Sequence, residues 1–474
     1  MGALSVIPSP AVAGESVTIA LDVTNVGKAE GAYTALLLVD GRAVDDKTVL
    51  VAPGSTRTIS FVITEDMPGE HRVEIGGLAA TLLVVEPASV ESVVADISEK
   101  VSRLRQLQPK AEIVPHFLTR AQLAEYMQEL FAKDYSEEEA QIEAELLVTL
   151  DLLPQDYDLY HNLLLIYSEE VAGFYDSELS RLIVVSDLPQ MGPLEKVTFA
   201  HEYTHALQEQ HFDLESLPLQ VEDNSDLSLA TLALVEGDAT LAMVQYLIEN
   251  IGISEIWALA EATESELLES APPFIQKSFL FPYEAGLEFV LALFTRGGWE
   301  AVDGAFGDPP RSTEHILHPE RYYGRDEPQP VVIPPLGASL DSTWTELDSD
   351  VLGEFGLKSY LGAFVDDATA ARAAEGWGGD RYAFFKDAEG RKLLVLSSTW
   401  DTTADAAEFF AAYVDFIGSK SGGAWTTLSG GQSERWWQAP DLSVYLSRLG
   451  SDVLLILAPE AAVVESVLAQ LSPA

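Results

Sequence analysis

Short runs in which apolar and polar residues alternate occupy the first part of the chain. Residues 17–24 form a clear run, with an apolar side chain at every second position. Turn residues separate the runs, for example Asp40-Gly41 and Pro53-Gly54. Alternation with a period of two between such turns is typical of half-buried strands. About seven strands at this spacing predict an all-β immunoglobulin-like sandwich over residues 1–86.

From residue 87 onward the apolar residues recur at intervals of three and four, which is the period of an amphipathic α-helix. The predicted helices span residues 90–107, 120–133, 137–152, 226–249, 253–268 and 284–297. Two β-rich runs, residues 171–176 and 181–185, interrupt this region and predict a hairpin with its turn at Ser177-Glu178. Residues 87–340 are therefore expected to form one mainly α-helical domain.

After Pro334-Pro335 the pattern changes again, to strands that alternate with helices. The predicted strands span residues 381–385, 392–398, 435–438, 443–448 and 453–458, and the predicted helices span residues 404–417 and a final segment that ends at 471. This mixture predicts a small α+β domain over residues 350–474, so the whole chain is expected to be a multidomain protein.

Acidic residues dominate the charge of the chain. It has 76 acidic and 27 basic side chains, for a formal net charge of −49 and a sequence pI near 4.2. Nucleic acids and anionic membranes bind basic patches, so this charge argues against both classes of partner. Hydrophobic residues make up 47% of the chain, which argues against extensive disorder.

Cysteine is absent from the sequence. The chain therefore has no disulfide framework, no thiol nucleophile and no cysteine-based zinc site. We expect no apolar run as long as a membrane helix, and hence no transmembrane segment. The start of the chain lacks the basic region and long apolar stretch of a signal peptide, so none is expected in this chain.

The chemistry of the chain is indicated at residues 201–205, which have the sequence H-E-x-x-H in a chain with eight histidines. His201 and His205 are four residues apart, so on a helix both imidazoles lie on one face and can reach one metal ion. Glu202 lies beside that position and can take a proton from a water molecule. Gly192-Pro193 and apolar neighbours predict a buried helix here. The alternative is a buried helix whose two histidines are held only by hydrogen bonds.

A third ligand is needed, because catalytic zinc usually has three protein ligands and keeps its fourth position for water. His211 has the ligand spacing of the metzincin pattern, but Gln208 stands where that pattern has glycine to let the chain leave the helix. On a continuous helix His211 lies roughly 15 Å along the axis and about 80° around it from His201. Glu236 is the stronger candidate, because an acid among leucine, alanine and valine is costly to bury unless it is paired or binds a metal. The alternative is a capping or partly solvated glutamate.

Together, His201, Glu202, His205 and Glu236 resemble the site of the gluzincin metallopeptidases. The resemblance implies a zincin-like metallopeptidase domain over residues 87–340. It also implies a Zn²⁺ ion held by His201, His205 and Glu236, with Glu202 as the catalytic base.

The sequence departs from many gluzincins four residues after Glu236, where they carry an aspartate that supports a zinc histidine and this chain has Thr240. Asp238 or an acid of residues 223–226 is the expected substitute. The resemblance also implies that the hairpin strand at residues 171–176 borders the cleft and pairs with an extended substrate. The alternative is an ordinary hairpin that packs on the helices.

Residues 312–323 gather histidine, arginine and tyrosine in a chain that is poor in histidine. A peptidase needs a hydrogen-bond donor for the oxyanion of the tetrahedral intermediate, and gluzincins commonly use histidine or tyrosine. His318 and Tyr322 are the two candidates for this role. The alternative is a capped turn whose histidines form local hydrogen bonds.

The run at residues 13–41, AGESVTIALDVTNVGKAEGAYTALLLVDG, resembles the adhesion-related CARDB-like β-sandwich modules of secreted and cell-surface bacterial proteins. The resemblance implies an extracellular or cell-surface location, and either a binding role toward a cell-surface partner or a spacer role. It covers only the first predicted domain.

Taken together, these patterns predict a zinc-dependent peptidase that hydrolyses a protein or peptide substrate. The main alternative is a cell-surface adhesion or binding protein whose peptidase-like domain is inactive or structural. Glu202 beside both histidines favours an active enzyme, because a domain kept only for binding has no need of that acid.

Overall fold

The computed structural model describes residues 2, 4–86, 89–170, 173–176, 181–185, 191–252, 266–338, 340, 342–420 and 425–471. The chain folds into two compact units, the N-terminal unit of residues 1–93 and the C-terminal unit of residues 94–474.

The N-terminal unit is a β-sandwich, as the alternating pattern predicts. Its strands are β1 (Ser5–Ile7), β2 (Ala11–Val12), β3 (Ser16–Thr24), β4 (Gly31–Val39), β5 (Arg42–Val51), β6 (Thr56–Thr64), β7 (Gly69–Ile75) and β8 (Leu78–Val85). One sheet has the order β1-β3-β6 and the other has the order β2-β8-β7-β4-β5.

The alternation in β3 explains how the sandwich closes. Val17, Ile19 and Leu21 are buried between the two sheets, and the residues between them face outward. Asp40 and Gly41 both have positive φ, at 50° and 76°, in the turn that joins β4 to β5. This is the backbone that an Asp-Gly hairpin turn requires.

The first part of the C-terminal unit is mainly helical. Its helices are α1 (Val90–Arg105), α2 (Arg120–Asp134), α3 (Glu137–Thr149), α4 (Leu159–Glu170), α5 (Pro193–Phe212), α6 (Ser225–Asn250), α7 (Glu266–Ser270), α8 (Pro273–Gly307), α9 (Thr313–Leu317) and α10 (Pro319–Gly324). Capping boxes begin α2 and α3, since Thr119 and Ser136 each bond the third residue of the helix and are bonded back by it.

Most of the predicted helices are confirmed, with three differences. The pattern gives no sign of α4, and α8 extends well beyond the predicted residues 284–297, with a kink at Gly297-Gly298. The predicted helix at 253–268 lies largely outside the described residues, and its end forms part of α7.

A small sheet lies against α5. Its strands are β9 (Pro115–Leu118), β10 (Gly173–Asp176) and β11 (Arg181–Val185), in the order β10-β11-β9. β10 and β11 are antiparallel, which confirms the predicted hairpin, and β11 and β9 are parallel. The predicted turn at Ser177-Glu178 and the first two residues of the predicted strand, 171–172, lie outside the described residues.

The last part of the C-terminal unit is an antiparallel seven-stranded sheet with helices. Its elements are β12 (Thr345–Asp350), α11 (Gly353–Leu361), α12 (Asp367–Ala374), β13 (Trp377–Lys386), β14 (Lys392–Trp400), α13 (Thr403–Lys420), β15 (Thr426–Gly430), β16 (Glu434–Gln438), β17 (Ser443–Leu449), β18 (Asp452–Ala458) and α14 (Ala461–Leu471). The strand order is β12-β13-β14-β18-β17-β16-β15. One face packs against α11, α12 and α13, and the other packs against α14.

The predicted division between residues 87–340 and 350–474 does not separate two compact units. Leu146 of α3 and Leu150, which directly follows this helix, are buried in the same core as Tyr360 and Phe384, which belong to the helices and strands of the sheet region. The helical part and the sheet part therefore share a hydrophobic core within the C-terminal unit.

The expectation that no apolar run reaches the length of a membrane helix is too strong. By length and composition alone, α6 and α8 could each cross a membrane. Such helices also occur in the cores of soluble proteins, and most of the apolar window of α6 is buried within the unit. The absence of a transmembrane segment stays a prediction.

Candidate metal centre

The helix α5 carries both histidines of the H-E-x-x-H sequence. Gly192 is its N-cap, Pro193 occupies the first helical position and Glu195 lies in the first turn. The helix continues without a break to Phe212 and ends at Asp213, which has a left-handed φ of 55°. Its middle is buried on all sides, so His201 and His205 project into the interior and not into solvent.

Glu236 of α6 meets the two histidines. Its Oε2 lies 3.0 Å from His201 Nε2 and 3.4 Å from His205 Nε2, and the two Nε2 atoms are 3.0 Å apart. The three side chains are at most 14% exposed. The structure thus brings together the three residues that the sequence predicts as metal ligands.

The geometry of these three atoms fits a zinc ion. Tetrahedral zinc with bonds of about 2.0–2.1 Å to nitrogen and oxygen places neighbouring ligand atoms roughly 3.3 Å apart. The observed separations of 3.0, 3.0 and 3.4 Å are close to that value. Two imidazole nitrogens and one carboxylate oxygen are also the donor set of a catalytic zinc site. Within the described residues, this is the set of three whose ligand atoms all lie within 4.8 Å of one another.

The pKa values of these side chains depend strongly on one another. Desolvation lowers the pKa of His205, but the adjacent Glu236 carboxylate outweighs it and raises that pKa to about 9. Desolvation raises the pKa of Glu236, but the two imidazoles outweigh it and hold that pKa well below its usual range. Positive charge at this point is therefore favoured, whether it comes from a proton or from a metal ion.

Glu202 lies on the side of the cluster that faces β10. It is buried, and its carboxylate accepts a hydrogen bond from the backbone of Tyr175. Desolvation, with the nearby Glu236 carboxylate, raises the pKa of Glu202 above its usual range, against the effect of the two histidines. A carboxyl group with a raised pKa and a position next to the ligands can both take and return a proton.

A series of buried polar groups fixes His205 through the Nδ1 atom of its ring. His205 Nδ1 bonds Gln208 Oε1 at 2.8 Å, and Gln208 Nε2 donates to Asp238 Oδ2 at 2.8 Å. Asp238 in turn accepts from Arg105 Nε at 2.6 Å. The Arg105 guanidinium is fully buried and lies over the ring of Trp299. This arrangement fixes the orientation of the imidazole and leaves Nε2 for the metal position.

Asp238 supports His205, but through Gln208 and not directly. Thr240, at the position where many gluzincins carry an aspartate, has a buried hydroxyl without a partner among the described residues. Among residues 223–226, Asp226 lies in the first turn of α6 and bonds Thr313 instead of His201 or His205. Of the expected substitutes for the missing aspartate, the structure therefore favours Asp238.

Close packing between two glycines sets the position of Glu236. A Cβ atom on Gly237 would lie 2.2 Å from the carbonyl oxygen of Gly286, and a Cβ atom on Gly286 would lie 2.2 Å from the carbonyl oxygen of Ala233. α6 and α8 therefore touch backbone to backbone at this point. Any larger residue here would separate the helices and move Glu236.

Two tyrosines near the metal centre were not predicted from the sequence. The Tyr283 ring of α8 lies 6.1 Å from the His201 ring, and Glu236, then desolvation and Glu202, raise the pKa of its hydroxyl. The pKa of Tyr167 on α4 is raised mainly by desolvation, with Glu143 and Glu236 adding to the effect. Their partners lie far away in the sequence, so no local pattern points to either residue.

The other sequence candidates have partners elsewhere. His211 bonds the backbone oxygen of Gln108 at 2.8 Å, which agrees with its predicted direction away from the metal. His318 Nε2 bonds Glu354 at 2.9 Å, and the Tyr322 hydroxyl donates to the backbone oxygen of Asp308 at 2.8 Å. The prediction that His318 or Tyr322 donates to an oxyanion therefore has no support in the geometry, because both groups are bonded within their own region.

Comparison with known families accounts for the two ends of the chain. Residues 3–76 match the family model described as CARDB. The N-terminal unit contains a CARDB domain. Residues 342–468 match a domain of unknown function, DUF8575, which corresponds to the seven-stranded sheet region. Neither match includes the residues of the metal centre, and no curated protein sequence matches the chain.

Solved structures resemble the chain only weakly. A β-glucosidase from Erythrobacter marinus is 18% identical, with 18% of this chain and 15% of that chain covered and a TM-score of 0.17. A β-glucosidase from Listeria innocua is 17% identical, with 17% and 15% covered and a TM-score of 0.16. The CARDB domain of a Pyrococcus furiosus protein is 15% identical, with 18% of this chain and 97% of that chain covered and a TM-score of 0.15. The matches thus span about 15% of the β-glucosidases' length. Resemblances this weak carry no information about the candidate metal centre.

Proposed function

We propose that the C-terminal unit is a zinc-dependent peptidase with a gluzincin-like arrangement. The observation that carries this proposal is the meeting of His201, His205 and Glu236 from two helices at separations that suit a tetrahedral zinc ion. The buried Glu202 beside them supplies the acid that peptide hydrolysis requires.

Each residue has a distinct task in this proposal. Bound zinc supplies Lewis acidity, which activates water and polarises the scissile carbonyl group. Glu202 takes the proton of the attacking water and passes it to the nitrogen of the leaving amine. The hydrogen bond from the backbone of Tyr175 orients the Glu202 carboxylate for both transfers.

Tyr283 is the group best placed to stabilise the oxyanion. Its ring lies 6.1 Å from that of His201, and its hydroxyl is within electrostatic reach of both Glu236 and Glu202. A tyrosine hydroxyl that keeps its proton can donate a hydrogen bond to the negative charge that develops on the carbonyl oxygen. We therefore assign to Tyr283 the role that the sequence indicated for His318 or Tyr322.

The second candidate function is adhesion or binding at a cell surface, with a peptidase-like domain that is inactive. The CARDB domain at residues 3–76 favours it. Such domains are associated with secreted and cell-surface proteins. The same domain supports an extracellular or cell-surface location for a peptidase, with the CARDB domain as its spacer or as its contact to a surface partner.

Hydrolysis of a peptide library separates the two candidates. The zinc-loaded protein should cleave peptides, and Glu202→Gln should lower kcat/KM about 100-fold or more while zinc stays bound, since the acid is a base and not a ligand. Glu195→Gln, on the same helix but in its first turn, is the matched control and should keep wild-type activity. Equal rates for wild type and Glu202→Gln would refute the proposed mechanism.

A further inference from the structure

A cleft of about 590 Å³ lies in the C-terminal unit. It is bordered by α3, α4, the first half of α8 and β12. Leucine, isoleucine, valine and phenylalanine side chains form most of its wall. Such a wall favours the apolar part of a ligand.

Carboxylates interrupt this apolar wall in one region. Glu143 bonds the Tyr135 hydroxyl at 2.5 Å, and Asp348 bonds the Tyr382 hydroxyl at 2.5 Å, with Asp350 nearby. Desolvation, with Asp348 and Asp350, raises the pKa of Glu143 above its usual range, against the effect of its hydrogen bond with Tyr135. No lysine, arginine or histidine is among the described residues that line the cleft. The described part of the lining therefore offers no cation to balance these carboxylates.

The cleft is connected to the metal centre by aromatic side chains. Tyr167 lines the cleft, and its hydroxyl is influenced by Glu143 in the cleft and by Glu236 at the metal centre. Phe279, also in the wall, lies 5.7 Å from the Tyr167 ring and 6.3 Å from the Tyr283 ring. Tyr283 contacts the ring of His201. These aromatic side chains thus link the wall of the cleft to the region of His201.

We propose that this cleft binds a lysine or arginine side chain of the substrate, so that the enzyme cleaves next to basic residues. The inference rests on the proposed peptidase function. The methylene groups of such a side chain pack against the apolar wall, and its cationic end meets Glu143, Asp348 and Asp350. The net charge of −49 acts in the same direction, because it attracts cationic substrates over a distance.

Binding of short blocked peptides tests the cleft without depending on catalysis. The peptide acetyl-Ala-Ala-Lys-Ala-Ala-amide and its norleucine counterpart have nearly the same apolar stem and differ in the cation. The zinc-loaded Glu202→Gln protein should bind the lysine peptide at least about tenfold more tightly in calorimetry. Adding Glu143→Gln should remove most of that preference and leave the norleucine peptide unaffected.

Two further variants keep the test specific. Asp348→Asn should reduce the same preference, which guards against a local folding defect in Glu143→Gln. Glu138→Gln changes an exposed acid of the same helix that does not line the cleft, so it should leave the preference unchanged.

Equal affinity for the two peptides, or a lysine preference that survives both Glu143→Gln and Asp348→Asn, would overturn the cleft assignment. A lysine preference that depends on Glu143, in a wild-type protein that hydrolyses no peptide, would support the cleft and refute the peptidase function. The same peptide pair, extended into hydrolysable substrates, should show the preference in kcat/KM for the wild-type enzyme.

Discussion

At the scale of single residues, the proposed metal centre depends on groups that hold its candidate ligands in place. His205 is fixed by Gln208, which is fixed by Asp238 and, through it, by Arg105. Every one of these groups is buried. An imidazole held in one tautomer and one orientation binds a metal with little further loss of freedom, so these partners contribute to affinity without touching the ion.

The role assigned to Tyr283 gives a prediction at this scale. Tyr283→Phe removes the hydroxyl and keeps the ring against His201. If the hydroxyl stabilises the oxyanion, kcat should fall about 100-fold or more, with KM and zinc affinity nearly unchanged. Tyr322→Phe removes a hydroxyl that donates to Asp308, so it should keep wild-type kcat. Loss of kcat in Tyr322→Phe but not in Tyr283→Phe would reverse the assignment.

The sequence predicts the ligands better than the residues around them. The spacing of His201 and His205 and the unusual polarity of Glu236 are local features, so they can be recognised without a structure. Arg105 and Tyr283 reach the site through tertiary packing, and Arg105 lies 133 positions before its partner Asp238. No local pattern encodes such contacts.

At the scale of elements, the contact between α6 and α8 determines where Glu236 lies. Gly237 and Gly286 let the two backbones touch, and Tyr283 lies one turn before Gly286 on α8. The same contact therefore positions the proposed metal ligand Glu236 on one helix and the proposed oxyanion donor Tyr283 on the other.

Gly286→Ala tests the importance of this contact. The new methyl group would lie 2.2 Å from the carbonyl oxygen of Ala233, so the helices must separate. We expect a loss of stability of about 1–3 kcal/mol, measured by denaturant unfolding, and weaker zinc binding. Gly304→Ala, on the same helix with nothing within 4 Å of the new atom, should instead stabilise the protein by up to about 1 kcal/mol. Similar stability changes in the two variants would show that the close contact is unimportant.

Helix prediction succeeds where local signals are clear. α5 begins at Gly192-Pro193 as expected and continues through Gln208, because no glycine breaks it. The prediction of residues 284–297 is too short at both ends, because Pro282 lies just before it and Gly297-Gly298 at its end, whereas α8 extends beyond both. Packing of its apolar face outweighs the local cost of proline.

At the scale of the whole molecule, buried acids accumulate where the helical part of the C-terminal unit meets the sheet part. Asp226 at the start of α6 bonds Thr313 of α9 and lies against Gly353 of α11, where a Cβ atom would overlap it. Desolvation raises the pKa of Asp226 to about 7 and that of Asp380 to about 6, and both Asp380 and Glu354 add to the effect on Asp226. Folding therefore favours the protonated forms of these acids.

A pH dependence of stability follows. An acid whose pKa is higher in the folded state than in the unfolded state makes folding less favourable as the pH rises between those two values. For Asp226 this range is from about 4 to about 7, and the effect is a few kcal/mol at most. The free energy of unfolding should decrease from pH 5 to pH 8, and Asp226→Asn should reduce the slope.

Asp415→Asn is the matched control for this measurement, because Asp415 is exposed on α13. It should leave the slope of the wild-type protein unchanged. A wild-type slope in Asp226→Asn would show that this acid is not responsible.

The order of the regions is predictable from the sequence, but the way they assemble is not. The spacing of apolar residues first indicates strands, then helices, and then strands that alternate with helices. The structure follows that order. In the shared core, Leu146 of α3 and Tyr360 of α11 belong to one cluster, although they lie far apart in the sequence of the unit. Their pattern shows that they are buried but not which partners they contact.

Zinc stoichiometry and affinity in a set of three variants test the central claim most directly. The wild-type protein should hold about one zinc ion per chain, and His205→Ala and Glu236→Ala should each weaken binding at least about 100-fold in a competition titration. His211→Ala should bind zinc like wild type, because His211 bonds Gln108 on a helix that continues past the site. Wild-type zinc affinity in Glu236→Ala, or loss of zinc in His211→Ala, would contradict the proposed metal centre.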